Sequence, residues 1–139
     1  MNEVKPINKE RIRHILDKLH FQHMVDEDGD FMGKMSADKD VPYDVIWWVI
    51  LDKKLVLKLL AESLKEVPVG RSGESLVFCN TWNRDHFLPQ VFFHEERNTI
   101  MARISVDLEK GIHDELLEDI IRQVSFLWQF YKEAAKNGL

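Results

Sequence analysis

At 139 residues, 45% hydrophobic and 31% charged, the chain has the length and balance of one folded domain spanning 1–139, not of two domains or a disordered segment. A net charge of −5 argues against a nucleic-acid binder, whose affinity rests on Lys and Arg neutralising phosphates. A lone Cys79 excludes an internal disulfide, the N-terminal residues lack a signal-like apolar run, and Val45–Leu51 is too short to span a membrane, so a soluble cytoplasmic protein is expected.

Asn8 caps a first helix, in which Ile12, Ile15, Leu16 and Leu19 form one apolar stripe and which His20 ends. Phe21 to Asp26 alternates as a strand, Glu27-Asp28-Gly29 supplies a hairpin turn, and Asp30 to Met35 returns. Ser36 to Tyr43 is a loop. Val45 to Leu51 has no polar residue, the pattern of a central strand covered on both faces. Leu55 to Leu64 fits strand and helix periodicity alike; its immediate return after the Asp52-Lys53-Lys54 turn favours a strand. Ser72 is the expected N-cap of a central helix that ends near Asp85, with Pro89 as a stop. Gln90–His94 and Thr99–Leu108 are strands, the second alternating Ile100, Ala102, Ile104, Val106 and Leu108 with polar neighbours. Gly111 then breaks the chain before a helix from Asp114 to Lys136. Its expected core face is Leu116, Leu117, Ile120, Ile121, Val124, Leu127, Trp128 and Tyr131, with Phe126 and Phe130 beside it. The order α-β-β-β-β-α-β-β-α implies an α+β fold, an antiparallel sheet with helices packed on it.

Asn80-Thr81-Trp82-Asn83-Arg84-Asp85-His86, followed by Pro89 and a short aromatic strand, resembles the signature of the YbjN family. That bacterial family is described as sensory transduction regulators. The resemblance runs from the Ile15-Leu16-Asp17-Lys18-Leu19 helix through the Asp26–Asp30 turn to the last helix. It implies a fold like that of type III secretion chaperones and names no client. His86-Phe87-Leu88 and the Trp47-Trp48 doublet depart from the family pattern.

Candidate chemistry is sparse. Asp26-Glu27-Asp28-Gly29-Asp30 is acidic enough for calcium, but its spacing is not that of an EF-hand loop, and a solvated turn explains it. The six histidines show no metal-ligand spacing, so neither a metal nor a cofactor is expected. Cys79 and His86 share a helix face but sit two turns apart, roughly 10 Å, too far for a nucleophile and its base. Gly70-Arg71-Ser72-Gly73 reads as a capping loop rather than an anion site. No phosphate-binding, dinucleotide or nucleophile-elbow motif is present. Asn80, Trp82, Asn83 and Pro89 read as structural, with Asn83 meeting the last carbonyls of its helix.

One helix layer covers one face of a sheet, and the chain carries more apolar surface than that. Trp47 and Trp48, and likewise Phe92 and Phe93, point to opposite faces, while Phe126 and Phe130 widen the last helix. Surplus of this kind marks an interface. The reading is a non-enzymatic, homodimeric module that binds another protein, with those six aromatic residues as interface candidates. The rival is a small-molecule sensor or enzyme with a pocket of Trp47 or Trp48, Trp82 and His86. A closed pocket with convergent polar groups favours the rival, a flat or grooved apolar face the first.

Overall fold

A computed structural model describes residues 3–139 of the chain. The elements follow the expected order: α1 (Lys9–Lys18), β1 (Met24–Val25), β2 (Phe31–Met35), β3 (Val45–Leu51), β4 (Val56–Ser63), α2 (Ser72–Asp85), β5 (Gln90–His94), β6 (Thr99–Asp107) and α3 (Asp114–Lys136). The six strands form one antiparallel sheet in the order β1-β2-β3-β4-β6-β5. The fold is thus α+β, and within Leu55–Leu64 the chain is strand over Val56–Ser63. Among the described residues no helix is long and apolar enough to cross a membrane.

Local chemistry explains most boundaries. The Asn8 side chain accepts the Arg11 N–H at 2.9 Å and starts α1. Ser72 is the first residue of α2 rather than its cap. Arg71 holds that place, its guanidinium drawn to Glu74 and to the carbonyls of Asn137 and Gly138 at the end of α3. The first strand is shorter than its alternation suggests. Phe21 turns into the core, edge-on to Trp47 at 6.2 Å, and His23 Nδ1 meets the Phe21 carbonyl, so local contacts replace the ladder there.

Cross-strand register sorts the side chains into two faces. Trp47 lies opposite Ala61, Val49 opposite Leu59, and Leu59 opposite Ile104; all of these are buried beneath the helices. α3 covers this face with Leu117, Ile121, Val124, Leu127 and Tyr131 and brings Phe130 and Ala134 inside as well. Leu116, expected on its core face, is 45% exposed; it lies in the first turn of α3, whereas the contacts of α2 through Phe78 and Trp82 fall fourteen residues on, at Phe130. Those contacts explain why Phe130 is fully buried.

The opposite face has no such layer. Met32, Trp48, Leu60 and Phe92 line it half-buried and outside the core cluster, with Met101, 8% exposed, beside Phe92. Val45–Leu51 was expected to be covered on both sides, yet Ile46, Trp48 and Ile50 are only half-buried. Its second side is bare because all three helices serve the first.

Gly33 faces the six-membered ring of Trp47, where an added Cβ would lie 2.2 Å from a ring carbon. Gly33→Ala is expected to cost about 1–3 kcal/mol by overpacking, lowering the thermal midpoint by several degrees in a melt followed by circular dichroism.

The groove between the second and third helices

α2 and α3 lie antiparallel. Arg71 at the start of α2 bonds carbonyls at the end of α3, and Phe78 and Trp82 further along meet Phe130 at ring distances of 5.6 and 5.0 Å. Between the helices runs a trough of about 620 Å³ with Phe78, Trp82, Ile104 and Leu127 as its apolar lining. Phe126 and Leu88 stand at its margin, 55% and 43% exposed, among the polar groups of Thr81, Asp85, Gln123, Gln129 and Glu133. A second hollow of about 460 Å³ continues past Phe78 and Thr81 to Val77 and Leu139.

The sequence motif lies along one wall and has a structural task. Trp82 donates from Nε1 to the Pro89 carbonyl at 3.1 Å. Asn83 makes two bonds to Val91 of β5: Nδ2 to the carbonyl oxygen and Oδ1 from the N–H, each 2.9 Å. Asn83 was expected to meet the last carbonyls of its own helix. Its partner is instead the neighbouring strand, and α2 closes with the His86 N–H on the Trp82 carbonyl. Asn80 is exposed and points away.

The aromatic candidates separate. Trp47 and Phe130 are core residues, 4% and 0% exposed, and are withdrawn as interface residues; Phe93 packs against the same core. Trp48 and Phe92 lie on the bare sheet face, and Phe126 stands at the groove. The rival pocket does not assemble as expected: Trp82 and His86 stack at 3.7 Å, but neither Trp47 nor Trp48 lines the trough with them.

The groove's titratable groups are already engaged. His86 Nδ1 lies 3.2 Å from the Trp82 carbonyl. Asp85 is held in its charged form by the Arg84 guanidinium, which lowers its pKa. Burial pushes the Cys79 thiol up to about 11, away from the thiolate a nucleophile needs. Elsewhere, carboxylate oxygens of Asp26, Asp28 and Asp30 gather within 4.8 Å of one another. Asp26 Oδ1, however, accepts the N–H groups of Asp28 and Asp30, while Lys9 Nζ bonds the Gly29 carbonyl, so the turn's own chain accounts for the cluster.

Sequence reasoning missed Glu62. It sits on the bare face yet is 3% exposed, held by Arg97 through two bonds of 2.6 and 2.7 Å and by the Thr99 hydroxyl at 2.6 Å. Its partners are 35 and 37 positions away, so the alternation of β4 alone reads it as solvated.

Two outcomes test this geometry. Asn83→Ala leaves the Val91 groups without their partners and should cost about 1–3 kcal/mol in denaturant melts, whereas Asn80→Ala should be near neutral. Burial also raises Tyr43 to about 12 and Cys79 to about 11, so the native state keeps protons that the unfolded chain gives up. The stability these two groups contribute is therefore fully present below pH 9 and is lost as pH climbs through about 11, with Cys79→Ala removing part of that loss in urea melts.

Three comparisons place the chain among known proteins. The sequence profile of the YbjN family, described as "Putative bacterial sensory transduction regulator", matches residues 8–127. The crystal structure of E. coli YbjN, "a putative transcription regulator", superposes with a TM-score of 0.79 at 14% identity, covering 99% of this chain and 98% of that one. The HopA1–SchA chaperone–effector complex contains a chain that superposes with a TM-score of 0.50, also at 14% identity, over 92% of this chain and 99% of its own. No curated protein matches by sequence. At such identities the structural matches speak for the fold, which is that of YbjN with a likeness to a chain of the chaperone–effector complex. The profile match covers most of the chain, and the protein belongs to the YbjN family.

Proposed function

We propose that the protein is a non-enzymatic interaction module which works as a homodimer and holds a segment of another polypeptide in the groove between α2 and α3, in a chaperone-like or regulatory role. The observation that carries this reading is the form of the groove. It is an open trough with an apolar floor and an apolar margin at Val77, Leu88 and Phe126, bordered by amides and carboxylates. Amphipathic helices dock in such grooves through side chains at i, i+3 or i+4, and i+7, while the rim answers their polar edges. An enclosed small-molecule site would instead bury its ligand almost wholly. The family description and the likeness to a chain from a chaperone–effector complex support the same direction.

The test is selection of displayed amphipathic helical peptides on the wild-type protein, followed by binding measurements on Phe126→Glu. Selected peptides should carry that apolar spacing and bind the variant about tenfold or more weakly, the cost of setting a charge on the apolar margin that the docked helix must cover. Failure to enrich any such peptide would refute the reading, as would binding indifferent to Phe126→Glu. Saturable stabilisation by a small metabolite, abolished in Trp82→Ala, would favour the sensor.

A further inference from the structure

We propose that the bare face of the sheet is the dimerisation surface, closed by the same face of a second copy. This rests on the homodimer reading above and names the surface, which is distinct from the groove. Met32, Trp48 and Leu60 run across three adjacent strands to Arg103, and the next row holds Ile46, Glu62, Met101 and Phe92, of which Glu62 and Met101 are buried. The first three, with Ile46 and Phe92, are half-buried although no helix of the chain reaches them.

Size and charge both select a second copy. Six strands about 4.8 Å apart make a face about 24 Å across; with the length of its central strands that is about 600 Å² in projection. Corrugated by side chains, it offers an area comparable with the roughly 800 Å² per partner of specific interfaces. The charged groups nearest the apolar centre are already answered within the chain, Lys34 by Asp44, Lys58 by Asp52 and Glu62 by Arg97 and Thr99, while Arg103 turns to the β5 margin, bonding the neutral Gln90 side chain and lying over the Phe92 ring. An occupant therefore needs to bring apolar surface and no charge. A second copy does so: a two-fold axis lying in the interface, parallel to the strands and between Trp48 and Leu60, sets Trp48 of each copy against Leu60 of the other. Sheets pack this way about 10 Å apart, and methionine side chains adjust to fill the gaps.

Light scattering at micromolar concentration should give twice the chain mass for the wild type. Trp48→Glu should halve that mass while retaining the circular dichroism of the fold, and Phe126→Glu should leave it unchanged. Leu60→Cys in a Cys79→Ala background provides a second route that leaves Trp48 in place. A short bis-maleimide should link two copies through position 60 at high yield. A wild-type monomer would overturn the inference, as would a dimer unaffected by a folded Trp48→Glu. Should Trp48→Glu fail to fold, the link at position 60 decides: its formation supports the face, and its absence in a dimer overturns it. A monomer that still binds groove-selected peptides would sink this inference and leave polypeptide binding standing.

Discussion

A seven-residue strand with no polar side chain sits inside a sheet whose helices all lie on one face. That asymmetry organises the molecule. Towards the helices, Val45, Trp47 and Val49 are buried and the core is continuous from α1 across to α3. On the other side Ile46, Trp48 and Ile50 meet no covering layer. Burying a side chain of this kind is worth about 1.5–3 kcal/mol, so a half-exposed row keeps a driving force that folding alone does not use.

The same asymmetry creates the groove. α3 must cover the sheet and brace α2, and two contact directions widen its buried surface to include Phe130 and Ala134. α2 contributes little to the core itself, since only Ser75 and Cys79 are buried along it. It is positioned by its ends. Arg71 ties one end to the close of α3, and Trp82 with Asn83 ties the other to the chain entering β5. A helix held at its ends and against Phe130 leaves a trough along its flank.

The element order was legible because each element carries a local period: the 3.6-residue stripes of α1 and α3, and the alternation of β6. Pro89 and Gly111 marked boundaries by backbone chemistry that needs no tertiary context. What stayed hidden depends on distant partners. Leu116 and Phe130 lie on nearly the same side of α3, but α2 reaches only the later part of that helix, so Phe130 is buried and Leu116 is not, which no single-helix projection contains. Glu62 follows the solvent-side alternation of β4 and is buried because Arg97 of the β5–β6 turn and Thr99 at the start of β6 hold it. The motif was recognisable as a unit, whereas the destination of its amide lay eight residues on, in a strand. Trp48 and Trp47 illustrate the limit for the site: alternation assigns them to opposite faces, but only the placement of the helices says which one is bare.

The two bonds between Asn83 and Val91 bear on how this sheet can grow. An amide side chain offers a donor and an acceptor spaced much like those of a peptide group, so Asn83 stands where the backbone of a seventh strand would lie. The carbonyl of Pro89, which has no N–H, is spent on Trp82, and ladder alternation leaves Phe93 as the next outward position. At the far end β1 contributes only two residues. A strand from another chain finds too few free groups at either margin to extend the ladder. The sheet is thus protected from lengthening into a fibre, and its unspent apolar surface can be satisfied only by contact across its face, a geometry that closes on itself instead of propagating.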